Sequence, residues 1–392
     1  MLSTYEAKRL IQERIQPLPS KEIHISQAIG YTLADHQYAK VDVPFYAQSS
    51  MDGYAFRFED WQEGSPLKIA GKMKAGHKER IHVDRGQAVR IFTGAPVPEG
   101  LNTVVMQEKT TVEGDNLYIN DINLTFGSNV RHRASEIKQG DIGLSQGTIL
   151  NAAAIGFLAS VGISHVQVVR KPKISVIVTG DELQTIGKPL SYGQVYESNS
   201  HTVKAALNHL LLNELTFYMV PDSLSALSIT LDKALVTSDL VLLTGGISAG
   251  EYDFVSKACE DCGVIRIFHK LKQKPGKPIY FGMKNEKAVF GLPGNPASVL
   301  TCLYQYVTLA LDRLSGTQIY PKQQMTPSLS SYKKPLGITH FLKAYFDGKT
   351  VSIREGQESY KLNSFALSNC LIEIPEDVEI INEGDLVKIY LL

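Results

Sequence analysis

The spacing of hydrophobic and polar positions changes character twice along the chain. Residues 4–15 place apolar side chains on one helical face behind a Ser3/Glu6 capping box, which predicts a short amphipathic helix that ends at Pro17. A second helix is predicted near 26–35. From 41 to 141, short β-like runs alternate with Gly, Pro and Asp turns, which indicates a mainly β domain. Residues 152–158 are helical in pattern; packing against the N-terminal helices would make the β domain an insertion.

From residue 173, unbroken apolar runs alternate with helical stretches. Strands are predicted at 174–179, 215–220, 240–244 and 264–268, and helices at 198–212, 223–236 and 251–262. Such runs are typical of a parallel sheet covered on both faces. Further β material is predicted at 279–281 and 288–291, and one long helix at 296–316 with Asn295 as its N-cap.

The patterns together predict an α/β multidomain protein built around a parallel-sheet mononucleotide-binding domain. Short β-like runs after residue 321 indicate a small final domain. The predicted divisions are a helical and linker domain (1–40 plus 142–172), an inserted β domain (41–141), the α/β domain (173–320) and a C-terminal β domain (321–392).

Composition and charge narrow the class of protein. Lys plus Arg and Asp plus Glu number 40 each in 392 residues, so no global charge favours a nucleic-acid or acidic-membrane partner. Four cysteines are too few for a disulfide framework, and we interpret the Cys259/Cys262 pair as structural thiols. The N-terminal residues lack the pattern of a signal peptide, and the apolar stretches at 152–163 and 299–311 fall short of the roughly 18 residues of a membrane span. We expect a cytoplasmic protein with no membrane partner.

Glycine-rich loops follow three of the predicted strands, at 180–182, 245–250 and 293–296. Parallel sheets bind ligands at the carboxyl ends of their strands, where glycine lets backbone N–H groups approach an anion. These loops therefore predict a phosphate or oxyanion pocket. No dinucleotide-binding, Walker or nucleophile-elbow motif accompanies them.

Acids and lysines follow strands at the same edge. The acids are Glu182, Asp222 and Asp253, and the lysines are Lys270, Lys274 and Lys277. Carboxylates beside a phosphate pocket can hold Mg²⁺, and lysines suit phosphate or another oxyanion. The alternative is that Asp222 and Asp253 are helix N-caps and that the lysines form a solvated basic loop.

Motifs along the whole chain resemble the molybdopterin molybdenumtransferase family, whose catalytic domain is like that of gephyrin. The matching segments are Ser50-Met51-Asp52-Gly53-Tyr54-Ala55, Thr93-Gly94-Ala95-Pro96, 127–131, 179–183, 193–199, 245–253, Lys274-Pro275-Gly276-Lys277-Pro278 and Leu292-Pro293-Gly294-Asn295-Pro296.

The resemblance implies an enzyme that binds adenylyl-molybdopterin and molybdate, inserts the metal and releases AMP with the help of Mg²⁺. It also implies a homodimer whose site is shared between the β domain of one subunit and the α/β domain of the other. A molybdopterin adenylyltransferase and cofactor-receiving proteins are further partners that this function brings with it.

Carried over by motif, the resemblance assigns roles to individual residues. Seven are expected to be catalytic, with the four acids among them orienting Mg²⁺ and the lysines offsetting phosphate or molybdate charge: Asp52, Thr93, Glu182, Asp222, Asp253, Lys270 and Lys274. Seven more are expected to bind the nucleotide and phosphates: Gly245, Gly246, Ser248, Gly250, Lys277, Gly294 and Asn295.

Two segments depart from the family pattern. Ala134-Ser135-Glu136 stands where the family has Gly-Glu-Asp, and an arginine-rich stretch of the C-terminal domain is replaced by residues that include Lys343. Lysine cannot reproduce a bidentate arginine contact.

Two other functions stay open at the level of sequence. The α/β domain alone resembles molybdopterin adenylyltransferases, although the Asp52 motif and the extra domains disfavour that function. A non-catalytic, gephyrin-like scaffold is disfavoured by the retained acids and lysines. Residue types do not distinguish molybdate from tungstate.

Overall fold

The computed structural model describes residues 1–76, 80–247 and 254–392, which form two compact units. Unit 1 comprises Met1–Lys21, Gly30–Thr32 and Val168–Leu392. Unit 2 comprises Glu22–Ile29 and Leu33–Gln167.

A six-stranded sheet forms the centre of unit 1. Its strands are β1 (Ile174–Thr179), β2 (Leu215–Val220), β3 (Leu240–Thr244), β4 (Ile265–His269), β5 (Tyr280–Lys284) and β6 (Lys287–Leu292). The spatial order is β2-β1-β3-β6-β5-β4.

The sheet is mixed: the predicted parallel arrangement is confirmed for all of its strands except one. Strands β2, β1, β3 and β6 pair in parallel, whereas β5 is antiparallel to both of its neighbours. The reason is the two-residue turn between β5 and β6, where Asn285 has φ 55°: a link this short makes a hairpin and cannot make a crossover. Because β5 alone is reversed, β4 ends at the same edge as the four parallel strands.

Alternate residues of the buried strands supply two cores. Val176 and Val178 of β1 face a core with Val203 and Leu207 of the helix Asn199–His209. Ile177 faces the opposite core, which contains residues of the helices Leu224–Thr237 and Phe254–Asp261. Burial on both faces explains why the strands are apolar throughout.

The helix predicted at 296–316 is interrupted. Its α-helical halves, Pro296–Cys302 and Thr308–Ser315, are joined by a π-helical turn, Leu303–Val307. Asn295 occupies the N-cap position, but its side chain makes no capping hydrogen bond.

The N-terminal helix, Thr4–Arg14, contributes Ala7 and Ile11 to the core of unit 1, and its Ser3/Glu6 capping box is confirmed. Lys8 on this helix is buried. Its ammonium donates to Gln305 Oε1 at 2.8 Å and to the Tyr390 hydroxyl at 3.0 Å. Desolvation lowers the pKa of Lys8 to about 8, although Glu373 opposes this shift.

A second sheet in unit 1 contains the C-terminal strands. In spatial order its strands are Gln273–Lys274, Thr339–Phe346, Cys370–Ile374, Leu386–Leu391 and Gln323–Pro327, and Val351–Ile353 pairs at the side of Thr339–Phe346. Tyr332–Lys333 pairs with Ile380–Ile381, and a short helix spans Leu362–Ala366. Residues from the predicted basic loop thus extend the C-terminal sheet.

Unit 2 contains a six-stranded sheet. Its spatial order is Thr103–Met106, Gly53–Phe56, Gln87–Ile91, Leu67–Met73, Asn116–Ile119 and Thr110–Glu113. Two small pairs, Gln48–Ser49 with Val130–Arg131 and Gln37–Tyr38 with Ile142–Leu144, and the helix Ala152–Ser160 complete it.

The helix predicted near 26–35 is wrong. Only a 3₁₀ turn forms there, at Ile25–Gln27, and Gly30 has φ 71°, through which a right-handed helix cannot continue. Nowhere in the described parts of the chain is there a helix with the length and apolarity needed to cross a membrane.

Candidate active site

Hydrogen bonds join the loops that follow β1 and β2. The Thr179 hydroxyl donates to the Asp222 carboxylate, and the Asp222 backbone N–H donates to Asp181 Oδ1 at 3.1 Å. The next helix, Leu224–Thr237, has Ser223 at its N-cap position. The alternative that Asp222 is an N-cap is therefore wrong; its carboxylate lies at the carboxyl edge of the sheet instead.

The loop after β3 requires glycine for two reasons. Gly245 has φ 86°, and a Cβ atom added there would lie 2.0 Å from the Thr179 carbonyl oxygen. Gly246 has φ 59°. A side chain at Gly245 would therefore clash with β1, and only glycine lets the two strand ends approach so closely.

The loop after β6 lies beside this glycine. A Cβ atom added at Gly294 would lie 3.9 Å from the Gly245 Cα atom. Asn199, at the start of its helix, donates from Nδ2 to the Gly294 carbonyl oxygen at 2.9 Å. Two of the three predicted glycine loops are thus adjacent at one edge of the sheet.

A cleft of about 880 Å³ opens at this edge. Its walls include Glu182 and the loop of residues 293–296, with the predicted ligands Gly294 and Asn295. Lys274 and Lys277 also line it and are exposed. This volume suits a ligand of nucleotide size.

Lys270 is placed differently from the other two lysines. It adopts φ 68°, its backbone N–H donates to the Ile279 carbonyl oxygen at 3.0 Å, and its side chain is not part of the cleft wall. Among the described residues, Lys270 does not line the cleft together with Lys274. The cleft therefore does not support the prediction that these two lysines act together.

The connection between the strand Val351–Ile353 and the helix Leu362–Ala366 forms another wall. Gln357, Ser359 and Tyr360 line the cleft. Asn295 Nδ2 donates to the Ser359 hydroxyl at 2.8 Å, and the Ala297 N–H donates to the Ser359 carbonyl oxygen at 3.1 Å. The Asn295 amide thus connects the glycine loop to this segment.

Lys343 organises the segment of residues 356–361. The buried ammonium donates to the carbonyl oxygens of Gly356 at 2.5 Å, Lys361 at 2.9 Å and Glu358 at 3.2 Å. Desolvation lowers the pKa of Lys343. Three donors meet three acceptors, so the lysine that replaces the expected arginine acts on the protein backbone.

Unit 2 carries the other predicted catalytic pair. Asp52 Oδ1 accepts hydrogen bonds from the Thr93 N–H at 2.7 Å and from the Thr93 hydroxyl at 2.8 Å. These bonds, the backbone one first, lower the pKa of Asp52, which is therefore a carboxylate at neutral pH. The sequence predicted both residues but not their direct contact.

Arg90 supports this pair from the neighbouring strand. Its guanidinium donates to the Gly53 carbonyl oxygen at 2.7 Å and to the Gln107 side chain, and it lies over the Tyr54 ring. A Cβ atom at Gly53 would lie 1.8 Å from the Val105 carbonyl oxygen, which explains the glycine that follows Asp52.

The segment that departs from the family pattern has a strained backbone position. Ala134 has φ 61°, the left-handed region that favours glycine. Arg133 Nε donates to Asp42 Oδ2 at 2.5 Å, and the Glu136 side chain is exposed.

Some predicted site residues lie outside the described residues, namely Ser248, Gly250 and Asp253. Within the described ranges, no group of three or more His, Cys, Asp or Glu side chains could hold a metal ion. Asn199, Gln273, Ser359 and Arg90 were not predicted as site residues. Asn199 ends a segment that matches the family pattern and Gln273 lies among the lysines of the basic loop, whereas Ser359 and Arg90 belong to no glycine loop or charged cluster.

Three family models match consecutive parts of the chain. The MoeA N-terminal region (domain I and II) matches residues 2–162, a probable molybdopterin binding domain matches 175–313, and the MoeA C-terminal region (domain IV) matches 327–392.

Known proteins resemble the chain over its full length. It is 34% identical to the molybdopterin molybdenumtransferase of Haemophilus influenzae, over 99% of this chain and 98% of that protein. It is 30% identical to molybdopterin molybdenumtransferase 2 of Mycobacterium tuberculosis, over 100% and 99%. The crystal structure of the molybdopterin biosynthesis moeA protein from Pyrococcus horikoshii superimposes with a TM-score of 0.85 at 30% identity, covering 100% of both chains.

Proposed function

Because this chain belongs to the molybdopterin molybdenumtransferase family, we propose that it inserts molybdenum from molybdate into adenylylated molybdopterin and releases AMP. The observation that carries the proposal is the cleft of about 880 Å³ in which a glycine loop, two lysines and a carboxylate meet. Close backbone approach and positive charge favour phosphate groups, and the carboxylate can hold a divalent cation that bridges to their oxygens.

The residues of unit 1 divide this work between them. The ammonium groups of Lys274 and Lys277 offset the negative charge of the adenylate phosphates and of molybdate, a tetrahedral dianion. Gly294 leaves room for the phosphates against the backbone, Gly245 lets the ends of β1 and β3 approach closely, and Asn295 orients the glycine loop through Ser359. Their motif assigns Ser248 and Gly250 to the same nucleotide and phosphate site, and it assigns Asp253 to the orientation of Mg²⁺ and the phosphate linkage.

The donor set fits Mg²⁺. Glu182, Asp222 and Asp52 offer carboxylate oxygens, the ligands that hard cations take. Because no three such groups meet in the described parts of the chain, Glu182 and Asp222 would hold the cation with phosphate oxygens and water as its other ligands, as is usual for Mg²⁺. Bound there, the cation would stabilise the charge that develops on the departing AMP.

We further propose a homodimer in which Asp52 and Thr93 of one subunit serve the cleft of the other. The division of the site residues between two compact units supports this arrangement, because the Asp52 pair is assembled entirely within unit 2. A cytoplasmic location fits the four cysteines, which are thiols and form no disulfide. In this location, an adenylyltransferase would supply the substrate and cofactor-receiving proteins would take the product.

The test is AMP release from purified adenylyl-molybdopterin, measured with and without molybdate and Mg²⁺. We expect release that requires molybdate and is accelerated by Mg²⁺, and a Lys274→Ala variant that needs much more substrate. Consumption of ATP with free molybdopterin would instead identify an adenylyltransferase. A folded protein that releases no AMP under any of these conditions would contradict the proposal.

A further inference from the structure

The π-helical turn at Leu303–Val307 follows the helix Pro296–Cys302, whose last residue contacts Gly276 between the two lysines of the cleft. A π turn inserts a residue into the helical repeat and is uncommon, and such turns occur often at functional sites. Gln305 and Tyr306 in this turn are buried completely. The turn therefore presents polar side chains to the interior of unit 1, where each needs a partner.

Tyr306 finds its partner in the strand that begins the basic loop. Its hydroxyl donates to Gln273 Oε1, and Gln273 is also buried. Burial raises the pKa of Tyr306, so the hydroxyl keeps its proton and remains a donor. The contact joins residues 33 positions apart in the sequence.

Gln273 connects Tyr306 to the loop that carries the two lysines. Its Nε2 donates to the Pro275 carbonyl oxygen at 3.0 Å and lies 3.7 Å from Cys302 Sγ. Gly276, the next residue, has φ 85°, and a Cβ atom there would lie 2.5 Å from Cys302 Sγ. The segment between the two lysines is thus pressed against the helix and bonded to it.

We propose that Tyr306 and Gln273 are positioning residues. They hold the Lys274-Pro-Gly-Lys277 loop in the position in which both ammonium groups contact the anionic substrate. The π turn is the device that brings Tyr306 to Gln273. The consequence for binding rests on the proposed function, whereas the anchoring of the loop does not. Loss of the Tyr306 hydroxyl would leave Gln273 Oε1 buried without its donor, and the loop would lose its fixed position.

The experiment compares Tyr306→Phe and Gln273→Met with a matched control, Tyr304→Phe, which removes a hydroxyl from the same π turn. Hydrogen–deuterium exchange of residues 271–281 reports the order of the loop. Titration with AMP and the KM for adenylyl-molybdopterin report its effect on binding.

We expect faster exchange in Tyr306→Phe and Gln273→Met, with KM and the AMP dissociation constant raised about tenfold and kcat within about twofold. The double variant should be no worse than the poorer single variant, because both break one chain of contacts. Tyr304→Phe should match the wild type in every measurement.

Three results would distinguish a failure of the anchoring, of the role in binding and of the proposed function. Unchanged exchange in both test variants would overturn the anchoring, and faster exchange with unchanged AMP binding would overturn the role in binding. If the wild type released no AMP but the test variants still showed faster exchange and weaker AMP binding, the proposed function would fail and the positioning role would stand.

Discussion

At the scale of single residues, Thr93 stabilises the ionised form of Asp52. The pKa of Asp52 is lowered by two hydrogen bonds from Thr93, so the carboxylate is ionised above this lowered pKa and is neutralised only as the pH falls through it. If the proposed function requires the ionised Asp52 carboxylate, a mildly acidic pH should not reduce activity through protonation of this group.

Thr93→Val removes one of the two donors and should raise the pKa of Asp52. We expect the acidic limb of the profile of kcat/KM against pH to move to higher pH, while Thr93→Ser keeps the wild-type profile. Asp52→Asn should lower kcat/KM at neutral pH by roughly a hundredfold or more, the scale of losing one group that stabilises charge. An Asn variant with full activity would remove Asp52 from the site.

Ala134, which departs from the family pattern, adopts a backbone conformation that reduces the stability of the fold. Its φ of 61° places an L side chain in the left-handed region. Ala134→Gly should raise the free energy of unfolding by about 0.5–1 kcal/mol, after the greater flexibility of glycine in the unfolded chain is deducted. Ser135→Gly, at a neighbour without positive φ, should lower it. Urea denaturation of both variants checks this, and a destabilised Ala134→Gly would mean that the methyl group packs favourably.

At the scale of elements, Lys343 determines the form of the segment that closes the cleft. Lys343→Met would remove the ammonium donor from three carbonyl oxygens, of which those of Gly356 and Lys361 also accept from the Ser364 hydroxyl, and should cost about 1–3 kcal/mol. Lys343→Arg should restore little, because a planar guanidinium cannot reproduce the three directions of an ammonium. Lys349→Met removes an exposed lysine from the same sheet and should have no effect.

Thermal unfolding and the KM for adenylyl-molybdopterin measure the two consequences of the Lys343 variants. We expect the midpoint of thermal unfolding and the KM to change together, because the segment that Lys343 holds includes Ser359, the partner of Asn295. An active, stable Lys343→Met protein would show that the segment needs no such support.

The elements also show how much of the fold could be predicted from the sequence. The apolar runs predict β1 and β3 because those strands are buried on both faces, and the glycine loops predict the edge where the cleft opens. The reversed β5 was missed although the two-residue turn at Asn285 signals a hairpin. The roles of Gln273 and Ser359 could not be predicted, because their partners Tyr306 and Asn295 lie far along the chain and their own side chains carry no charge.

At the scale of the whole molecule, the proposed shared site makes a quantitative prediction. Asp52→Asn and Lys274→Ala impair different units, so each homodimer should have little activity at a substrate concentration well below the raised KM of Lys274→Ala. Unfolding and refolding an equal mixture would make half of the dimers mixed, each with one intact site, and about a quarter of wild-type activity should return. Analytical ultracentrifugation gives the oligomeric state in the same samples. A mixture as inactive as its components would indicate that each site lies within one chain.

The buried ammonium of Lys8 has a consequence for the order in which the protein is made. Its partner Tyr390 lies 382 positions later in the chain. At roughly 5–20 residues per second, a ribosome adds that tyrosine about 20–80 s after the lysine. Until then the Lys8 ammonium lacks this partner, whereas residues 33–167 already have every strand of their own sheet. Unit 2 can therefore mature during translation, whereas unit 1 closes only when its last strand leaves the exit tunnel.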